Sequence, residues 1–597
     1  MGKKSKSTKA ASIVQNAKAS ASSTTRKNRL NVFIRRPHVS MLLIVVVGFL
    51  VYSNTFSVPF AFDDETAIYR NATIRDMGNF AKDPVSGILF NSRIVGQLSF
   101  ALNHAVHGLD VRGYHIVNLL IHLLSALLVY RLVVLTFRTP YLSGYFQKTR
   151  EGFIDIPRFV ALFTALLFVS HPIQTQAVTY IVQRYASLAT LFYLLSIVMY
   201  VQSRLSALPR GRYAFYALSV ISAILAMKTK EIAFTLPVMV VLYELMFFRG
   251  EMRKRMLYLV PLILTMLIIP LSMMGGRGAL TGAASIDKAM EGASLNVITW
   301  SEYLNTQFRV IVTYIRLLFL PIHQNLDYDY PIYKTFFDPP VILSFSFLIS
   351  IFSWGVYLVY RSFRTDNDGR YWLRLMGFGI FWFFITLSVE SSVVPIADVI
   401  FEHRLYLPSV GFFLAVMAGV MWIGDRYVEK KPLIRRGVLP LMIIVVISLS
   451  VTAYARNLVW QSEVTLWEDV VKKSPGKPRP NYNLGLFYSR QNRLDEAIAH
   501  YQAAIRIAPD YYRPYNDLGN AYFNKGRFDE ALHEYKTAIA LKPDYAKPYN
   551  NIGIVYAKSG RYADAAQNFH KALELDPTYV DARRNLDLLN KQLSERR

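Results

Sequence analysis

Apolar residues run in long blocks along the first three quarters of this chain. Segments poor in charge recur at roughly 39–58, 113–136, 158–171, 187–203, 212–228, 231–248, 256–274, 303–320, 340–360, 372–389, 406–424 and 437–455. A helix needs about 20 apolar residues to cross a bilayer, so the pattern predicts an all-α, polytopic membrane bundle. The weakest block is 303–320, which carries Arg309 and Arg316 mid-segment and ends at Pro321. It suits an interfacial or re-entrant helix, and setting it aside leaves about eleven spans among the blocks. The basic loops Arg138–Arg158, Arg204–Arg212, Arg249–Arg255, Arg361–Arg374 and Arg426–Arg436 then all lie on the cytoplasmic side, as the positive-inside rule asks. The loops 59–112 and 275–339 and the C-terminal region lie on the opposite side.

Beyond residue 456 the period changes. Gly485, Gly519 and Gly553 are 34 residues apart, as are Pro509, Pro543 and Pro577, and Ala497, Ala531 and Ala565. That period with those marks is the tetratricopeptide repeat: the glycine lets paired helices approach, and the proline ends the second helix. The expected organisation is a tail over 1–37, a membrane domain over 38–456 and a repeat domain over 457–597. The repeats fall at 478–511, 512–545 and 546–579, with a capping helix at 580–594. Val464, Trp467 and Pro475 carry the register backwards, which predicts a half repeat joining the last span to the array.

Composition sharpens this picture. Of the 597 residues, 53% are hydrophobic and the net charge is +26. Much of that charge sits in the first 37 residues, which hold Lys and Arg but no acid; this is a disordered cytoplasmic tail by composition. Nucleic-acid binding is not needed to explain basic charge beside a membrane span. With no cysteine, disulfides, thiol catalysis and cysteine metal sites are excluded. The first apolar block lacks a small-residue cleavage site, so it reads as an uncleaved anchor.

Three consecutive acids, Asp63, Asp64 and Glu65, follow the first block at a membrane face. Packing does not require them, and such a cluster either is solvated or handles a proton or cation. On the same predicted face stand Arg93, Arg184, Lys230-Glu231, Glu390, His171 and Glu402-His403-Arg404. Arg93, Arg184, Lys230 and Arg404 suit a phosphate, with His171, Glu231 and His403 as further pocket residues. His115 and His122, seven apart on a helix, read as buried, hydrogen-bonded histidines. In the repeats, Asn483, Asp517 and Asn551 share one inward-facing position, with Asn516 and Asn550 beside them. Such a ladder either grips a peptide backbone or serves the groove and the fold. Together these residues suit an enzyme with a lipid-phosphate-linked donor and a polypeptide acceptor, in which a carboxylate deprotonates a hydroxyl and basic groups stabilise the departing phosphate.

The order of several motifs resembles the transmembrane and tetratricopeptide-repeat O-mannosyltransferases and their bacterial relatives, within the C-type glycosyltransferases. They are Phe62-Asp63-Asp64; Gly113-Tyr114-His115-Ile116-Val117-Asn118; His171-Pro172-Ile173 with Thr175 and Ala177-Val178; Lys230-Glu231; Leu326-Asp327-Tyr328; and Arg404-Leu405-Tyr406-Leu407-Pro408-Ser409-Val410-Gly411. The likeness runs from about residue 40 to the end. It implies a polyprenyl- or dolichyl-phosphate sugar donor, and a catalytic base in the acidic motif. Where the animal members carry acids, this chain has Gln176 and Arg184-Tyr185-Ala186-Ser187, which weakens a metal-dependent mechanism.

The expectation is therefore a membrane glycosyltransferase that moves a sugar from a polyprenyl phosphate to a Ser or Thr hydroxyl of a protein held by the repeats. Asp64 is the first choice of base, then Asp63 and Glu65. No cofactor is required, and a divalent cation is not favoured. The active face is periplasmic in a bacterial inner membrane, or lumenal in the endoplasmic reticulum. The alternatives are a non-enzymatic membrane scaffold carrying the repeats, and a lipid-linked oligosaccharide ligase or polymerase.

Overall fold

The computed structural model describes residues 36–80, 90–144, 155–274, 298–392, 395–396, 398–428 and 432–595. The predicted basic tail up to residue 35, residues 81–89 of the first long loop and residues 275–297 of the second lie outside the described residues.

Every apolar block forms helix. In chain order, with α2 lying in the loop between the first two blocks, the helices are α1 (Pro37–Tyr52), α2 (Ile94–His107), α3 (Val111–Thr136), α4 (Ile156–Ser170), α5 (Arg184–Leu205), α6 (Pro209–Met227) and α7 (Leu236–Phe247). Then come α8 (Met252–Leu264, continued by a turn into Ile268–Met274), α9 (Trp300–Phe319), α10 (Pro339–Arg364), α11 (Gly369–Leu387), α12 (Pro408–Val428) and α13 (Pro432–Leu458). The described residues contain no strand. Among the described residues, six helices are long and apolar enough to cross a membrane, seven if the bent pair Ile156–Ser170 and Pro172–Val178 is one span.

Local chemistry sets the helix starts. Asp110 caps α3 by accepting the Arg112 N–H at 3.0 Å, and prolines open α4 and α10, where a missing N–H costs nothing. Packing in lipid relies on close approach at small residues. A Cβ on Gly379 of α11 would lie 2.3 Å from the Gly411 carbonyl oxygen, and one on Gly411 of α12 2.5 Å from Trp382 Cβ. The block set aside as a span, α9, buries one face at Tyr303, Gln307, Val310, Tyr314 and Leu317. That spacing of three and four is an amphipathic helix lying against the bundle.

The repeat domain follows without a gap. Ser462 caps α14 (Glu463–Lys473), which packs on α15 (Pro478–Arg490). Helix pairs follow: α15 with α16 (Leu494–Ile507), α17 (Tyr512–Asn524) with α18 (Phe528–Leu541), and α19 (Ala546–Lys558) with α20 (Tyr562–Leu575), closed by α21 (Val580–Glu595). Each marker glycine faces an aromatic ring. A Cβ would come within 2.7 Å of Tyr501 at Gly485, 2.5 Å of Tyr535 at Gly519 and 2.6 Å of Phe569 at Gly553. The repeat needs glycine because the partner ring occupies the space of a side chain.

Candidate functional site

The acidic motif begins with a backbone twist. Phe62 has φ +50°, and the chain then winds through a π-turn at Glu65–Tyr69; both features concentrate at functional sites. The twist sends the three acids to different places. Asp64 is 1% exposed. One of its carboxylate oxygens accepts the Ala61 N–H at 3.0 Å and the other the Val182 N–H at 2.6 Å. Burial pushes its carboxyl up to about 8, against the pull of those two backbone donors. It pins the motif to the 181–183 turn and presents no oxygen outward. Asp63 is half-buried; its N–H donates to the Tyr180 hydroxyl at 2.8 Å. Burial raises its carboxyl to about 6, opposed by Tyr180 and Arg479 and assisted by Asp398 and Asp327. Glu65 turns outward to Arg70 at 2.5 Å and Arg490 at 3.6 Å. Both Asp64 oxygens thus carry a backbone donor, whereas the Asp63 carboxyl lies under the influence of Tyr180 and Arg479.

The repeat domain is docked on this motif. Trp467 of α14 meets the Phe62 ring edge-on at 5.6 Å, and the Arg479 guanidinium of α15 lies 5.3 Å over the same ring. Arg479 also forks Asp327, with two contacts of 2.7 Å, and reaches Asp398 at 2.7 Å. Lys477 pairs with Asp327. Burial disfavours the charged form of Asp327, but Arg479 and Lys477 outweigh it and hold the carboxyl below its ordinary value. The loop bearing Asp327 is fixed from both sides. Glu402 accepts the Asn325 N–H and the Tyr328 hydroxyl, both at 2.6 Å, while Ser474 donates to the Asp327 carbonyl at 2.8 Å.

The predicted cations divide. Arg184 is a structural strut: buried, it donates to the Asn118 and Asn103 side chains at 2.6 and 2.8 Å and to the Ser99 and Tyr114 carbonyls at 3.2 and 3.0 Å. With its guanidinium so engaged it offers no fork to a phosphate. The others share a patch. Arg93 forks Glu231 with two contacts of 3.1 Å, and Lys230 meets Glu390 at 2.6 Å. The Glu390 carbonyl accepts the Tyr303 hydroxyl at 2.7 Å, which in turn lies 3.5 Å from Arg404. Arg404 donates to the Asp398 and Val399 carbonyls at 2.7 and 3.0 Å. The patch therefore runs by contact from Lys230 through Arg404 to Asp398, and through Arg479 to the acidic motif. His403 binds the Gln176 side-chain oxygen through its N–H at 2.7 Å. The Gln176 Nε2 is buried without a partner. His171 is not a pocket residue: its ring nitrogens bond the Leu318 carbonyl and the Ile173 N–H, both at 3.1 Å. His115 and His122 likewise bond the Val58 carbonyl and the Tyr406 hydroxyl, both at 2.8 Å. Among the described residues no group of three or more His, Asp or Glu side chains is arranged to hold a metal.

The amide ladder of the repeats is largely turned on itself. Asn551 donates to Asn516 at 3.1 Å and Asn520 at 2.9 Å, and Asn585 donates to Asn550 at 2.9 Å. Asn516 and Asn550 are 2% and 3% exposed, so they knit neighbouring repeats instead of facing a ligand. Asp517 accepts the Tyr482 hydroxyl at 2.7 Å; with Asn483 and Asn551 it stays half-buried. Sequence reasoning missed Tyr180, Asp398, Lys477 and Arg479. Only Asp327 carried a signal, as part of Leu326-Asp327-Tyr328.

Fold and site define a polytopic helical membrane protein with a tetratricopeptide solenoid docked on its acidic face. A profile described as "TPR repeat" matches residues 485–526 and 519–560, and one described as "Tetratricopeptide repeat" matches 546–579. The chain is 23% identical over 536 residues to protein O-mannosyl-transferase Tmtc3 of Drosophila melanogaster, covering 79% of this chain and 55% of the fly protein. It is 23% identical over 511 residues to protein O-mannosyl-transferase TMTC4 of Mus musculus, covering 78% of this chain and 66% of the mouse protein. A solved repeat unit, the first of Spaghetti (RPAP3) bound to an HSP90 peptide, aligns over 20% of this chain and 96% of its own at 25% identity, TM-score 0.19. The chain is homologous to the transmembrane and tetratricopeptide-repeat protein O-mannosyl-transferases. It spans between about half and two thirds of the length of those relatives.

Proposed function

We propose that this chain is a membrane glycosyltransferase that moves a sugar from a polyprenyl-phosphate donor to a Ser or Thr hydroxyl of a protein, on the non-cytoplasmic face of its membrane. The observation that carries the reading is Asp63: a half-buried carboxylate made more basic by burial, which pushes it up to about 6, set in the seam between the bundle and a peptide-binding type of array. A base poised near neutral pH is what hydroxyl activation requires. The acceptor hydroxyl gives its proton to Asp63 as its oxygen bonds to the anomeric carbon. The bond from that carbon to the phosphate oxygen breaks, and the polyprenyl phosphate leaves with the electron pair.

Lys230, Arg404 and Arg93 stabilise the charge that grows on the leaving phosphate, held in place by Glu390, the Asp398 carbonyl and Glu231. Gln176 adds a buried donor without a partner, which suits an anion better than the acid of the animal relatives. The names of those relatives support sugar transfer to protein, and the repeats support a polypeptide acceptor.

The test is transfer from polyprenyl-phosphate mannose to a Ser/Thr peptide by the purified chain. Asp63→Asn is expected to reduce the rate by about 10²–10⁴-fold, the usual contribution of a general base. Because Asp63 acts deprotonated, the wild-type rate climbs as pH rises through about 6 and is lost below it. Full activity in Asp63→Asn rejects the base, and no transfer from any polyprenyl-phosphate sugar rejects the activity.

A further inference from the structure

The site contains a residue from the wrong domain. Arg479 belongs to the first repeat, 416 positions after Asp63, yet its side chain is 15% exposed and lies within the acidic seam. Asp327 and Asp398, from two separate loops of the bundle, fix it in a two-carboxylate fork. A planar guanidinium held at both edges has little freedom to rotate, and the Phe62 ring closes one face. A tether for an acceptor array needs none of this. Surface contacts distant from the acids would dock the solenoid equally well, and ion pairs at exposed seams contribute little. The fork instead delivers a fixed positive charge to the motif that holds the base.

We propose that Arg479 is a positioning residue of the transfer site, supplied by the solenoid, which orients the Phe62-Asp63 turn and sets the charge state of Asp63. The inference rests on the reading of Asp63 as base. It makes the repeat domain part of the active site as well as a holder of acceptor. The groups facing Asp63 are Tyr180, Arg479, Asp398, Asp327 and its neighbour Asp64, with Lys477 joined to both Asp327 and Asp398. Arg479 favours the charged form of Asp63, while Asp327 and Asp398 oppose it.

That opposition gives a test with signs. Arg479→Gln and Asp327→Asn break the same ion pair, so a purely structural role predicts the same direction of change in both. An electrostatic role predicts opposite directions. The Asp63 midpoint rises by on the order of one pH unit without Arg479 and falls without Asp327. Two readouts follow it in the purified full chain: the pH profile of sugar transfer, and the pH dependence of carbodiimide labelling of Asp63, read by peptide mass spectrometry. The labelling needs no catalysis. Opposite shifts support the inference, with Arg479→Lys recovering part of the wild-type midpoint. Coincident midpoints, or shifts of one sign, overturn it. If Asp63→Asn still transfers sugar, the base assignment fails, and labelling still reports whether Arg479 governs the carboxyl.

Discussion

Phe62 holds a left-handed backbone conformation that costs a bulky residue about 1–3 kcal/mol. Trp467 and Arg479 packed on its ring are what over-determine it. The twist is why two adjacent aspartates differ: Asp64 turns inward to the Ala61 and Val182 N–H groups, and Asp63 faces the seam. Different consequences follow from the same substitution. Asp64→Asn puts an amide N–H against a backbone N–H, leaving a buried donor unmatched at a cost of about 1–3 kcal/mol. Its expected phenotype is a lowered apparent Tm in detergent with transfer reduced in step. Asp63→Asn keeps the wild-type Tm and loses transfer. An Asp64→Asn protein of normal stability and no activity would restore Asp64 as the base. The sequence exposes the triplet but not this division, because it depends on the twist at Phe62 and on Tyr180 and Val182, partners more than a hundred positions away.

Among the elements, α11 and α12 meet at the Gly379–Gly411 contact, where the Gly379 position faces backbone only 2.3 Å from a would-be Cβ. Backbone cannot rotate aside as a flexible side chain does, so Gly379→Ala forces the helices apart. The expected cost is about 1–3 kcal/mol, as for other overpacked cores, measured as a fall in apparent Tm. Gly424→Ala, on the same α12 with nothing within 4 Å of its Cβ, is the control and leaves the Tm unchanged. Equal behaviour of the two variants would refute the close contact. Element types were legible throughout: apolar blocks gave helices, and the 34-residue period gave helix pairs. The role of the amide ladder was left open between gripping a peptide and serving the fold, and the bonds of Asn516 and Asn550 across repeats show the second.

At the scale of the whole molecule, the acidic motif and the solenoid touch, so they lie on one face. The other face is marked by the cluster in which Glu244 holds Arg204 and Arg255, both at 2.9 Å. Arg184 and Arg204 sit at opposite ends of α5, whose 22 residues span about 33 Å, a bilayer's hydrocarbon thickness. The chain has no cysteine, so single thiols can report sidedness. In sealed vesicles of one orientation, a membrane-impermeant maleimide is expected to treat Thr73→Cys and Lys536→Cys alike and Lys254→Cys oppositely. Thr73 and Lys536 labelled from opposite sides would separate the solenoid from the acids and remove the composite site.

The sequence by itself determined the helices, their apolar faces, the repeat array and the acidic motif, because each is written in residues close together along the chain. The tertiary structure alone decided that Asp64 is held by two backbone N–H groups, that Arg184 and His171 are struts, and that Arg479 packs on Phe62. Those outcomes depend chiefly on contacts between residues from 66 to 417 positions apart, and local periodicity carries no record of such partners.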